Sequence, residues 1–292
     1  MELKTKVENI GTPLMDLSKK ISRGIITGYN DAFIIEEETK LKLESKDPNS
    51  TEIIKPLLRG KDVKRYGYTF AGIYVLSIGF GMYKDLEVKY PAVYEHLKKH
   101  EAKLKARGQC KSSRSGKRIS ADYDGQHHWL ELDNNPSEAY LREFEEEKVI
   151  WPETMRIHRT GNSNFPRFNI KKPGIYLDKT VFMMEIKNPK FFVGMINSKM
   201  GWKIIDMYVD KLDNGGYMMQ KAMVEKLPVP DPDEIDASIV REVESLVGEA
   251  YEARENGSEA NISNIEEQID NLVFKIYDLS ESEINLVKET AR

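Results

Sequence analysis

Three prolines fall within five residues, Pro228, Pro230 and Pro232, in the stretch "KLPVPDPDE". Proline has no backbone donor and a fixed φ, so neither a helix interior nor a central strand can run through this stretch. What lies on either side must fold around the break. On the C-terminal side the apolar residues keep a helical period. Ile235, Ile239, Val243, Leu246, Val247 and Ala250 share one face, and Gly257 suits the end of that helix. A second helix has Ile265, Ile269, Leu272, Val273 and Ile276 in register behind a capping box of Ser263 and Glu266. A third is expected behind Ser280 and Glu283, with Leu279 and Ile284 as its hydrophobic staple. These stripes predict helices packed on each other or on a partner.

On the N-terminal side the periods are mixed. "ISRGIITGYNDAFII" reads as a hairpin, with Ile21 to Thr27 and Ala32 to Ile35 flanking a Gly28-Tyr29-Asn30 turn. "EEETKLKLES" is helical in composition, Asp47-Pro48-Asn49 breaks it, and Thr51 to Leu58 can add one or two helical turns. "GIYVLSI" reads as a strand, and "AVYEHLKKHEAKLKAR" as a helix with Pro91 in its first turn. From His127 onward "HHWLEL", "KVIWPE", "FPRFNI", "GIYLD" and "TVFMMEI" read as short strands. "PKFFVGMINSKMGWKIIDMYV" then returns to a helical period, broken near Asn197-Ser198 or Gly201. The expected fold is α+β: a sheet-rich domain with peripheral helices over residues 1–230, and a small helical region over residues 231–292.

Charge divides the chain at the same place. Residues 231–292 hold 17 acidic and 5 basic residues, whereas the first 230 hold 39 basic and 31 acidic. The N-terminal part is thus the one able to attract a polyanion. Its densest basic segment, Glu95 to Ser120, has nine Lys and Arg against two Glu. One cysteine, Cys110, excludes an internal disulfide framework and a cysteine-rich zinc site. No apolar run approaches the roughly 20 residues of a membrane span, and the N-terminus is charged where a signal peptide is apolar. The chain is expected to be cytoplasmic and to have no membrane partner.

Few catalytic patterns are present. There is neither a P-loop nor a G-x-G-x-x-G, no nucleophile elbow and no H-E-x-x-H. The adjacent His127 and His128, if on a strand, would point to opposite faces and could not share a metal ion. One spacing does match a metal-dependent nuclease: Asp178, Glu185 and Lys187 in "YLDKTVFMMEIKN", as D-x6-E-x-K. A solvated strand face accounts for the same residues, and no metal site is assigned. A purely structural subunit that tethers partners through the terminal helices is a further alternative.

Nucleic-acid binding has broader support. Arg59, Lys61, Lys64 and Arg65 in "IIKPLLRGKDVKRY" can reach phosphates, and arginine can also read guanine edges. Arg23, Thr27, Tyr29 and Asn30 surround one tight loop, and Arg156, Arg159, Asn162 and Asn164 fall on another. Arg114, Lys117 and Arg118 come from the densest basic segment, and Asn214 and Lys221 from the glycine-containing loop near residue 215. No catalytic residue is assigned.

Six segments together resemble the TaqI-like C-terminal specificity domain, the target-recognition part of type IIG (Eco57I-like) restriction-modification methyltransferases. "RGIITGYNDAFII" is similar to its opening signature, "IIKPLLRGKDVKRY" to its R-G-[KR]-D-[IV]-x-R-Y block and "EKVIWPE" to its middle strand. "VGMINSKMGWKI", "NGGYMMQKAMVEKLPVP" and "IEEQIDNLVFKIYDLSESEI" follow in the family's order. The resemblance spans most of the chain. It implies recognition of double-stranded DNA beside a methyltransferase or endonuclease module that uses S-adenosylmethionine, with magnesium where the parent also cleaves. The chain itself lacks an N-P-P-[YF] motif and a glycine-rich cofactor loop, so no cofactor is expected in it. A separate specificity subunit, or a fragment of a longer enzyme, is the expectation.

Overall fold

The computed structural model describes residues 3–112, 120–157, 165–213 and 215–290. A four-stranded antiparallel sheet lies at its centre, in the order Asn169–Lys171, Lys148–Pro152, Val181–Ile186, Ser18–Arg23. Both of its faces are covered. Side chains alternate along a strand, so Val149, Trp151, Phe182 and Met184 enter one hydrophobic core while Ile150, Val181 and Met183 enter another. Two-sided burial explains why "VIW" and "VFMM" read as continuous apolar runs.

The first core is closed by helices Pro189–Asn197, Lys199–Tyr208, Ala237–Glu255 and Glu259–Ile276. Trp151 anchors it, stacked on Phe168 and Phe182 at 5.5 and 5.6 Å, with its indole N–H donated to the Met219 carbonyl at 2.9 Å. The second core lies under a smaller sheet of Tyr176–Leu177, Ile54–Leu58, Ile73–Leu76 and Ile34–Glu36. Its first pair is parallel and the rest antiparallel. Helix Pro91–Lys98 contributes Val93 and Leu97 to that core. The molecule is α+β, as the sequence predicts. Among the described residues no helix is long and apolar enough to cross a membrane.

Several local expectations are corrected. The predicted hairpin is absent: Ser18–Arg23 pairs with Val181–Ile186, whereas Ile34–Glu36 joins the other sheet and pairs with Ile73–Leu76. Gly28 to Asn30 instead leads into the helical turn Asn30–Phe33. Thr51 to Leu58 holds the end of a 3-10 turn, Pro48–Glu52, and then a strand, because Ile54, Leu57 and Leu58 face a sheet core. "HHWLEL" forms turns and no strand. The second terminal helix starts at Glu259, ahead of Ser263. Gly257, at φ +69°, closes the preceding helix with the Ser258 N–H donated to the Ala253 carbonyl at 2.9 Å, which turns the chain tightly enough for an early restart. The third helix begins as predicted, with the Ser280 N–H bound to Glu283 at 2.8 Å.

The proline stretch is itself structured. Pro228–Pro230 is a buried strand paired antiparallel with Gly11–Pro13, and the Leu14 N–H reaches the Leu227 carbonyl at 2.9 Å. Proline is tolerated there because the pair stands alone as a two-stranded edge.

Candidate nucleic-acid interface

The turn Leu177 to Val181 organises the site. Two neighbouring segments clamp it by backbone hydrogen bonds: Gly24 N–H to the Val181 carbonyl at 2.9 Å and Ile25 N–H to Leu177 at 2.7 Å from one, and Glu153 N–H to Thr180 at 2.8 Å from the other. From a third segment the Leu58 carbonyl accepts the Asp178 N–H at 2.9 Å, and the Gly60 N–H reaches the Thr180 hydroxyl at 2.8 Å. Two Arg-Gly pairs therefore flank one turn. A Cβ on Gly24 would lie 2.1 Å from the Asp178 carbonyl oxygen, and one on Gly60 3.0 Å from the Thr180 hydroxyl. The glycines permit the close approach, and the preceding arginines are carried to the rim.

Both arginines are braced. Arg23 donates to Glu153 at 2.7 Å and to the Lys179 carbonyl. Arg59 is held by Asp62, which accepts from its Nε and its backbone N–H, each at 2.9 Å. Such charge-assisted pairs fix a guanidinium plane while leaving further donors free. Between the loops lies an open depression of about 490 Å³, lined by Arg59, Lys61, Arg156 and Arg167 with Glu153 and Asp178. Basic groups outnumber acidic ones along its wall.

A second hollow opens on the other side of Asp178, lined by Ile25 to Asn30, Leu57, Val75 and Lys179. Here the buried Thr27 donates its hydroxyl to the Asn30 side-chain oxygen at 2.6 Å, and Tyr29 accepts from Lys103 at 3.1 Å. Gly28 takes φ +69°, and a Cβ there would meet Arg107 and Asp133 at 2.7 Å. Arg107 is buried and donates to the carbonyls of Thr27, Trp129 and Glu131 at 2.7 to 2.8 Å, so it shapes the loop from beneath.

The remaining sequence candidates separate into groups. Lys61 is exposed on the rim, and Lys64 donates to its carbonyl at 3.2 Å. Lys221 is exposed and begins a helical turn just after Met219, whose N–H binds the Glu153 carbonyl at 2.7 Å. Arg65, expected at the surface with Arg59, points inward. It donates to the carbonyls of Asn197 and Phe165 and pairs with Glu266 at 3.0 Å, joining the basic block to the terminal helices. Arg114, Lys117, Arg118, Arg159, Asn162, Asn164 and Asn214 lie outside the described residues.

The nuclease spacing does not assemble. Asp178 accepts from the N–H and hydroxyl of Thr180 at 2.9 and 2.5 Å, and burial raises its pKa. Glu185 is engaged by Lys19 and Lys148, whose hydrogen bonds hold its carboxyl down at about 2. Lys187 stands beyond the strand end, after a bulge at Glu185/Ile186, and pairs with Asp233. Four residue steps along the strand from Val181 to Glu185 cover about 13 Å, so the two carboxylates face different neighbourhoods. Among the described residues no group of three His, Cys, Asp or Glu could hold a metal ion.

Sequence reasoning passed over Arg167, Lys103 and Lys179. The available signal for Arg167 was its place at the end of the basic segment "ETMRIHRTGNSNFPR".

No protein-family model and no curated protein matches the chain. Solved structures do resemble it. The type IIL restriction-modification enzyme MmeI, in a complex with DNA, superposes with a TM-score of 0.64 at 14% identity, over 96% of this chain and 36% of that one. The type IIG restriction endonuclease BpuSI aligns with a TM-score of 0.49 at 14% identity, over 94% of this chain and 33% of that one. The chain spans about a third of the length of these two structures, and its fold resembles that of a part of MmeI.

Proposed function

We propose that the chain recognises double-stranded DNA as a target-recognition element of the TaqI-like specificity type, within a type IIG-like restriction-modification system. The observation that carries the reading is the depression between the two braced Arg-Gly loops, where Arg59, Lys61, Arg156 and Arg167 converge on a rigid sheet scaffold. The likeness in fold to a segment of MmeI, a protein solved with DNA, agrees with it. In this reading the braced arginines and Lys61 contact the phosphate backbone. The Thr27 to Asn30 loop approaches base edges, where Asn reads adenine. The 17 carboxylates after residue 230 keep the terminal helices away from the phosphates.

The chain supplies recognition and no chemistry. An accompanying methyltransferase or endonuclease module, in the same chain or a separate subunit, would bring S-adenosylmethionine and, where it cleaves, magnesium. The test is selection from a randomised duplex pool, followed by titration of the enriched duplex at several salt concentrations, with the protein alone and with its methyltransferase. We expect enrichment of one sequence and a log K against log salt slope of about −4, from four or so phosphate contacts. No enrichment and no salt dependence in either arrangement overturns the reading.

A further inference from the structure

We infer that Arg167 is a phosphodiester clamp: it and Arg156 seat one backbone phosphate of the duplex in the depression beside Arg59. The inference rests on the DNA-recognition reading and adds to it a residue and a ligand atom.

The argument begins from charge compensation. Around this site Arg23 has Glu153, Arg59 has Asp62 and the inward Arg65 has Glu266. Arg167 has no carboxylate within ion-pair distance among the described residues. Among those residues its guanidinium makes one hydrogen bond, from Nη2 to the Thr154 carbonyl at 3.2 Å, and its buried Nε meets no acceptor. Burial lowers its pKa from the ordinary arginine value. A guanidinium stays charged throughout the accessible pH range, so it cannot relieve that cost by losing its proton. A half-buried, unpaired charge with an idle donor is what a site prepared for an anion requires.

The surroundings specify the anion. The depression is open, as a phosphate on a long polymer needs, and its other cations come from different loops: Arg59 and Lys61 from one, Arg156 from another. Glu153 is occupied by Arg23, and Asp178 is turned to Thr180, so neither carboxylate competes for Arg167. The bond to Thr154, beside the small pairing of Thr154–Met155 with Tyr217–Met218, tethers one end of the guanidinium. Arg offers two parallel N–H donors to a phosphate where Lys offers a point charge.

The experiment uses the full chain, the enriched duplex and the same duplex carrying single methylphosphonates, which remove one phosphate charge at a time. R167Q is expected to weaken binding about tenfold and to reduce the salt slope by about 0.9, the increment of one phosphate. One methylphosphonate position should weaken wild type by a similar factor and leave R167Q unchanged. R156Q changes an exposed side chain and should lose affinity at that same position, so the test survives if R167Q fails to fold. Wild-type affinity and slope in either folded variant, or no shared methylphosphonate position, overturns the clamp. Thermal shift with millimolar inorganic pyrophosphate separates the two proposals. Stabilisation of wild type that R167Q and R156Q lose keeps the anion seat even where no duplex binds and the DNA reading falls. With no duplex bound, an equal shift in all three proteins, or none, rejects the seat as well.

Discussion

His127 is fully buried, with Nδ1 2.9 Å from the His128 carbonyl and Nε2 3.2 Å from Asp133. Burial opposes its charge, but the hydrogen bonds to Asp133, Cys110 and the His128 carbonyl outweigh it and hold its pKa up at about 9. The next residue goes the other way. Burial, with Lys105 nearby, pulls His128 down to about 4 as it stacks on Tyr83 at 4.3 Å. A folded pKa above the unfolded value means that His127 stabilises fully below about 6.5 and loses that contribution as pH rises through about 9. Urea midpoints of wild type should therefore fall more between pH 6.5 and 9.5 than those of His127→Gln; parallel falls would refute the buried imidazolium. At this scale the sequence was partly legible. The two histidines were expected on opposite faces of a strand, and that strand does not form. The Asp62 brace could be read from "RGKD", because residues three apart meet in a single turn. The inward course of Arg65 could not, since its partner Glu266 is supplied by a distant helix.

Helix Pro189–Asn197 crosses Ala237–Glu255 at Gly194, where a Cβ would stand 2.7 Å from Val243 Cγ1 and 2.9 Å from Val247 Cγ2. Both neighbours are β-branched and stiff at χ1, so they cannot swing aside. Gly248 sits on the second helix with only the flexible end of Lys190 near, at 3.7 Å. The same substitution should thus have opposite signs. Gly194→Ala gains up to about 1 kcal/mol of helix propensity but loses about 1–3 kcal/mol to overpacking, so it lowers stability. Gly248→Ala keeps only the gain, about 1 kcal/mol. Denaturant unfolding of the two variants measures this, and a stabilised Gly194→Ala would show that the helices can separate at no cost. The terminal helices were legible because an amphipathic stripe is a local signal. The hairpin error has the converse cause: Ser18–Arg23 finds its partner in Val181–Ile186, far along the chain, and nothing local announces that pairing.

The proline stretch that divides the sequence ties the molecule together, because Pro228–Pro230 pairs with Gly11–Pro13 and residues on both sides of it fill the first core. Helices Ala237–Glu255 and Glu259–Ile276 contribute to the same core as Phe192 and Trp202, and Lys199 reaches Asp270. The central sheet then joins that core to the second through alternate side chains of the same two strands. Neither core can be exposed without stripping one face of the sheet the other also uses. We predict one cooperative unfolding transition for the whole chain. Tryptophan reports on both sides: Trp151 and Trp202 lie in the first core and Trp129 packs on the second. In a variant retaining only Trp129, and again in one lacking only Trp129, fluorescence and far-UV circular dichroism should give the same urea midpoint within each variant. Separate midpoints would mean that the sheet's two faces come apart, and that the Arg-Gly loops, rooted in the sheets between the cores, are held by one core alone. The same coupling ties the terminal helices to the Arg-Gly loops: Glu266 holds Arg65, six residues from the braced Arg59, so local fraying of these helices should loosen the rim that carries Arg59 without a second global transition.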